Sequence, residues 1–221
     1  MAIKNSVKLI LVLHPKEKRI PCFVEDIATK IVNPNIVPVY RSTGKYTYQN
    51  KQYMCECYYI VYTDNDGEGC FSLCPSSPAM GYHSTDCERV FILYDENEQP
   101  QYVYFSHHSS IQGEWVKWNN CTTYDRTLYV YVALGSHANY AYPHIALRIF
   151  GFANDVTKKD GIEKKVTKII SAYDTDIVNM TKDINPVPDY TMTTFERFIF
   201  PVRITCLLSK MDSIRKYISP R

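Results

Sequence analysis

Short runs of β-branched and aromatic residues, each closed by a turn signal, recur along the first 150 residues and constrain the fold more than any other feature. Val7 to Leu13 is an apolar run stopped by Pro15, which fits a buried strand. Tyr46 to Tyr62 reads as one or two strands around Gln49-Asn50-Lys51. Glu88 to Tyr94 and Gln101 to Phe105 flank the polar turn Asp95-Glu96-Asn97-Glu98-Gln99-Pro100, the pattern of a hairpin. Thr127 to Leu134 is a further strand, dense in β-branched and aromatic side chains. Many short strands at this spacing argue for a mainly β protein with a β-sandwich core.

Other segments punctuate that pattern. Phe23, Ile27, Ala28 and Ile31 are spaced for a short amphipathic helix, broken by Pro34 and Pro38. Asp64 to Gly69 is a turn-rich, acidic loop. After Pro143 the character changes. Asp160-Gly161-Ile162-Glu163 has capping-box spacing, and Ile162, Val166, Ile169, Ile170 and Tyr173 would line one helical face. The stretch from Phe195 to Leu208 is apolar enough to return to the core. The expectation is a sandwich core over 1–150 with flanking helices, and a C-terminal helical segment over 151–221 packed on it as one structural domain.

Composition narrows the function. Lys+Arg number 25 against 23 Asp+Glu, a formal charge of +2, so no polyanionic nucleic-acid partner is expected. No apolar run reaches the roughly 18 residues of a membrane span. Val7 to Leu13 leads straight into His14-Pro15-Lys16-Glu17-Lys18 with no small-residue cleavage site, which makes a poor signal peptide and points to the cytoplasm, with peripheral membrane association compatible. The eight cysteines lack zinc-knuckle spacing and read as reduced, mostly buried thiols. The 19 tyrosines fit a β-rich protein first, and an adhesive, self-associating surface second.

Asp86 and Glu88, two residues apart in an extended segment, project from one face that Val90 and Ile92 continue. Two carboxylates so placed repel each other unless a cation intervenes; the plain reading is instead a hydrogen-bonded His–carboxylate pair, with Glu88 tied to Arg89 or Arg126. Ser136, in Gly135-Ser136-His137-Ala138-Asn139, lacks the second glycine of a nucleophile elbow and reads as a turn residue.

Four segments, in order, resemble the vacuolar-protein-sorting-associated protein 62 family over residues ~8–145. They are Leu9 to Glu25, His83-Ser84-Thr85-Asp86-Cys87-Glu88, Val103 to Ser109 followed by Gly113-Glu114-Trp115, and Tyr131 to Tyr140. Thr85 and Cys87 stand where that family has Gly and Trp. The same spacing is more distantly similar to the necrosis- and ethylene-inducing-protein-like cytolysins. That resemblance implies a β-sandwich with a divalent cation at His83, Asp86, Glu88 and His108, to which Asp64, Asp66 and His137 could add. Mg, Ca, Mn or Zn would suit such a mixed N/O set, with no organic cofactor. The resemblances together imply a cation-supported binding module acting on a membrane surface or a glycan-bearing ligand, binding being favoured over catalysis. The rivals are a structural or self-assembling protein, in keeping with a viral or other AT-rich source and forming homo-oligomers, and a metal-dependent hydrolase.

Overall fold

The computed structural model describes residues 3–65, 83–109, 112–146 and 155–172, with residues 83–85, 108–109 and 112 described by their backbone alone. Strand β1 (Lys8–Leu13) alternates Leu9, Leu11 and Leu13 into the interior. It pairs in parallel with β8 (Thr127–Val132) and antiparallel with β12 (Ile162–Lys165). Short strands β7 (Thr123–Tyr124) and β9 (Asn139–Tyr140) both lie on β8 and complete a five-stranded sheet.

A six-stranded sheet faces it, in the order β13 (Lys168–Ser171), β2 (Pro38–Tyr48), β3 (Lys51–Asn65), β4 (His83–Tyr94), β5 (Pro100–Ser109) and β6 (Gln112–Lys117). β10 (Ile145–Ala146) and β11 (Asp155–Val156) pair separately. One apolar core joins the two layers: Leu9, Leu11, Leu128 and Val130 meet Tyr58, Ile60, Val90, Ile92, Val103 and Phe105. The fold is mainly β and sandwich-like, as the strand spacing predicts.

Local chemistry sets the connections. Gln49 and Asn50 take φ of 50° and 61°, the two left-handed residues of a tight hairpin turn between β2 and β3. In the turn after β4, Asp95 Oδ1 accepts the N–H groups of Asn97 and Gln99, each at 2.9 Å. The helix expected near Ile27 is a single turn, α1 (Asp26–Thr29).

The helical face expected from Ile162 onward is not formed among the described residues. Ile162 to Ser171 makes β12 and β13, one in each sheet. Between them the Val166 N–H bonds Leu9 and the Thr167 N–H bonds Val37, while Thr167 Oγ1 accepts the Val37 N–H at 2.9 Å. The segment crosses from one layer to the other, and its pairing overrides a local helical period. Tyr173 and the stretch Phe195 to Leu208 lie outside the described residues. So do Cys70, Cys74 and Cys206. Cys22, Cys55, Cys57, Cys87 and Cys121 are free thiols, and burial pushes Cys22, Cys57 and Cys121 up to about 12. Among the described residues no helix is long and apolar enough to cross a membrane.

Aromatic residues occupy both faces of the larger sheet. Tyr58, Tyr62 and Tyr94 point into the inter-sheet core, while Tyr46, Tyr48, Tyr53, Tyr102 and Tyr104 cluster with Trp115 on the other side. Fully buried Glu56 sits at one end of the inner face. It accepts hydrogen bonds from Ser6 Oγ (2.6 Å), Arg41 Nη1 (3.3 Å), Tyr58 OH (3.0 Å) and Tyr94 OH (2.5 Å).

Gly161 lies where β12 enters against β1. A Cβ there would stand 2.5 Å from the Leu13 carbonyl oxygen and 2.7 Å from Val12 Cγ1. Gly161→Ala should lower stability by about 1–3 kcal/mol, read as a lower thermal midpoint. Gly44→Ala, with open space around it, should leave the midpoint nearly unchanged. Equal midpoints for the two variants would mean that β12 is not held against β1 as described.

Candidate functional site

The end of the inner face opposite Glu56 is also charged, and differently resolved. Alternation along β4 turns Asp86 and Glu88 inward ahead of Val90 and Ile92, and both carboxylates are buried, at 7% and 6% exposure. Across the ladder Asp86 faces Tyr62 and Glu88 faces Ile60. Two loops from the smaller sheet close over them. The chain after β1 folds back with the Glu17 N–H on the His14 carbonyl. The link between β8 and β9 is a tight turn in which Ala133 and His137 bond each other's neighbourhood through Ala133 N–H to Ala138 O and His137 N–H to Ala133 O. Gly135 and His137 take φ of 72° and 54° there, and this left-handed geometry drives the His137 ring fully inside.

His137 is clamped. Its Nδ1–H donates to Asp86 Oδ2 at 2.8 Å, its Nε2 stands 3.7 Å from Glu17 Oε1, and its ring stacks on Tyr62 at 3.9 Å and 7°. Burial works against its charge, but Asp86 and Glu17 outweigh that and hold its pKa up at about 9, so the ring is an imidazolium at neutral pH. Burial likewise opposes the Glu17 charge, yet His137 and the N–H groups of Gly135 (2.7 Å) and Arg19 (2.8 Å) bring its pKa down to about 2.

Glu88 is not clamped in this way, and the Arg89 charge only partly offsets its surroundings. Burial pushes its pKa well above the carboxylate range, and the Asp86 charge adds to the push. The Ser106 hydroxyl donates to Glu88 Oε2 and accepts the Arg89 N–H at 2.7 Å. Asp155, from β11, accepts Ser136 Oγ and Tyr140 OH at 2.7 Å each, and Tyr140 carries the His107 ring stacked at 4.4 Å. Around these groups, among the described residues, Tyr62 OH and both polar atoms of the Asn139 amide have no hydrogen-bond partner, and His137 Nε2 has only its 3.7 Å ion pair with Glu17. Asn139 pairs with Val132 in the ladder and so shares that residue's inward face. A buried polar group left without a partner costs about 1–3 kcal/mol.

Of the residues expected from sequence, Asp86 and His137 meet directly and Glu88 lies beside them. Asp64 does not join. It ends β3 and is held by Arg19 Nε at 2.7 Å and Lys30 Nζ at 3.5 Å; burial opposes its charge, but the two cations keep its pKa below the ordinary value. His83 opens β4 opposite Asn65, and His108 lies near the end of β5. The side chains of both, and Asp66 entirely, lie outside the described residues. Among the described residues no group of three or more His, Cys, Asp or Glu is arranged to hold a metal ion. Glu88 takes a hydrogen bond from Ser106, with the Arg89 charge also acting on it, and Ser136 bonds Asp155. Glu17, Tyr62, Asn139 and Asp155 escaped sequence reasoning. Only the register of β3 on β4 could have singled out Tyr62, and only the fold brings in the other three.

No family model and no curated protein matches the chain, so the sorting-associated resemblance has no counterpart in either comparison. Among solved structures, NLPPya in complex with glucosamine is similar at a TM-score of 0.49 and 11% identity, over 92% of this chain and 86% of that one.

The clamp has a defined pH signature. The His137 pKa is raised from 6.5 to about 9, so its stabilisation is complete below 6.5 and fades as pH climbs through 9. The Glu17 pKa is lowered from 4.5 to about 2, so its share is complete above 4.5 and fades as pH falls toward 2. His137→Gln should cost roughly 3–5 kcal/mol at pH 6, because it leaves two buried carboxylates without their cation. Urea denaturation at a series of pH values should show that deficit shrinking above pH 6.5; a deficit independent of pH would refute the imidazolium.

Proposed function

We propose that this polar end is the ligand site of a cation-supported binding module, in which Asp86 and Glu88 hold a divalent cation that helps to receive a polyhydroxylated group on a glycan or membrane surface. The observation that carries the reading is the pair of buried carboxylates on one face of β4, close enough for the charge of one to oppose ionisation of the other. A cation would remove that opposition. The donor chemistry fits: Asp86 offers Oδ1, since His137 engages only Oδ2, and Glu88 needs only to lose a proton. Such a carboxylate set suits Mg, Ca or Mn, and imidazoles from His83 or His108 would extend it to Zn.

The surrounding groups support a neutral or cationic ligand. Glu17, Asp86, Glu88 and Asp155 gather four carboxyl groups around one imidazolium, which disfavours an anion. The unpartnered Asn139 amide offers a donor and an acceptor together, the complement of a hydroxyl pair.

Calorimetric titration of the chelator-treated protein with Mn or Ca tests the cation directly. One saturable site is expected, weakened at least about tenfold in Glu88→Gln, a substitution close enough in shape to keep the fold. A glycan array should then show binding that a chelator abolishes. A folded protein that takes up no divalent ion would sink the reading, and glycan binding indifferent to the chelator would remove the cation from it.

A further inference from the structure

The other end of the same sheet holds a groove of different character. Asp86 and Tyr94 are eight residues apart on β4, roughly 26 Å at the rise of a strand. Beyond Tyr94, the turn into β5 and the end of β6 enclose about 500 Å³, a volume within the range of small-ligand sites. Its lining includes Gln99, Gln101, Tyr102, Lys117, Trp118 and Asn119, with no acidic side chain among them.

The polar groups are fixed in advance. Asp95 organises the turn through Oδ1, and its Oδ2 accepts Gln101 Nε2 at 2.9 Å. That bond orients the Gln101 amide and leaves its Oε1 without a partner among the described residues. Gln99 is held at both ends, its Nε2 donating to the Asn97 carbonyl and its Oε1 accepting Arg126 Nη1 at 3.3 Å. Arg126 is itself anchored on the carbonyls of Asn5 and Glu98. Amides immobilised by the fold lose little entropy when a ligand arrives.

The aromatic walls are equally constrained. Trp118 is half-buried against the inter-sheet core, and Tyr102 is held edge-on by Tyr48 at 5.0 Å and Tyr53 at 6.0 Å. Half-exposed rings offer flat apolar surface to the C–H face of a pyranose, while amides satisfy its hydroxyls. Lys117 is exposed and forms no ion pair among the described residues, so the groove carries one uncommitted positive charge.

We infer that this groove is a second ligand site, for a saccharide unit bearing a carboxylate, of the uronic acid class. Its preference is opposite in sign to that of the polar end, and it depends on neither Asp86 nor a cation there.

The chain has two tryptophans, so its ¹⁵N spectrum contains two indole N–H signals, assignable with Trp118→Phe. Titration with sodium glucuronate should shift the Trp118 signal saturably and leave that of Trp115, in the aromatic cluster, nearly still. Glucose should bind about fivefold more weakly, and Lys117→Gln should reduce glucuronate to the level of glucose. Gln101→Ala should weaken both sugars. Glu88→Gln should leave all these shifts unchanged, which separates this site from the polar end. An unmoved Trp118 signal, an equal response to glucose and glucuronate in the native protein, or a response matched by sodium acetate would each overturn the inference.

Discussion

The contact on which the polar half of the molecule depends is the imidazolium of His137 between Asp86 and Glu17. It joins three segments far apart in sequence: the loop after β1, the start of β4, and the turn between β8 and β9. Each would be unstable in place without the others. Asp86 and Glu17 are buried carboxylates, and an unpaired charge at such depth costs several kcal/mol. His137 adopts a left-handed backbone that disfavours any residue with a Cβ. The charge pairing and the face-to-face Tyr62 ring offset both penalties, the ring by placing its electron-rich face against a cation. The clamp therefore closes the end of the sandwich with electrostatics where the middle is closed by apolar packing.

The period-two alternation of strands produces that division. Along the inner face of β3 run Glu56, Tyr58, Ile60 and Tyr62, and along β4 run Asp86, Glu88, Val90, Ile92 and Tyr94. The same register that buries the aliphatic centre also forces carboxylates inward at both ends, with Glu56 at one and the Asp86–Glu88 pair at the other. Inward-facing charge is a heavy constraint on its surroundings, because each carboxylate requires donors that the aliphatic centre cannot supply. Ser6 and Arg41 answer it at one end; Ser106 and His137 answer it at the other.

How much of this was legible in the sequence follows from how local each determinant is. The strands around Leu9, Tyr58, Ile92 and Val130 are written in β-branched and aromatic runs, and the turns at Gln49-Asn50 and Asp95 to Gln99 in side chains that favour them. The inward pairing of Asp86 with Glu88 needed only alternation. Ile162 to Ser171 was misread because Ile162, Val166, Ile169 and Ile170 also fit a helical period, and a four-residue strand is too short to display its own. What settles that segment is Gly161 lying tight against Leu13 and Thr167 bonding Val37, and both partners are more than a hundred residues away. Glu17 and Asn139 were invisible for the same reason: each acquires meaning only from a partner, or from the lack of one, across the sandwich.

The two buried acidic centres differ in the degree to which they are satisfied. Glu56 has four donors for its two oxygens, and with every lone-pair direction occupied it has nothing left to offer a ligand. At the opposite end, among the described residues, Glu88 has only one hydroxyl donor, and Tyr62 OH and the Asn139 amide have no hydrogen-bond partner. A fold that can fully satisfy one buried carboxylate with side chains from three elements is not limited in its means of doing so. Polar groups left incomplete at the other end lower stability without strengthening the core, and a complementary ligand would recover that deficit on binding. The incomplete hydrogen bonding at Asn139 and Tyr62 therefore sets this end apart from the satisfied Glu56 end, and adds to the buried carboxylate pair on which the proposed binding role rests.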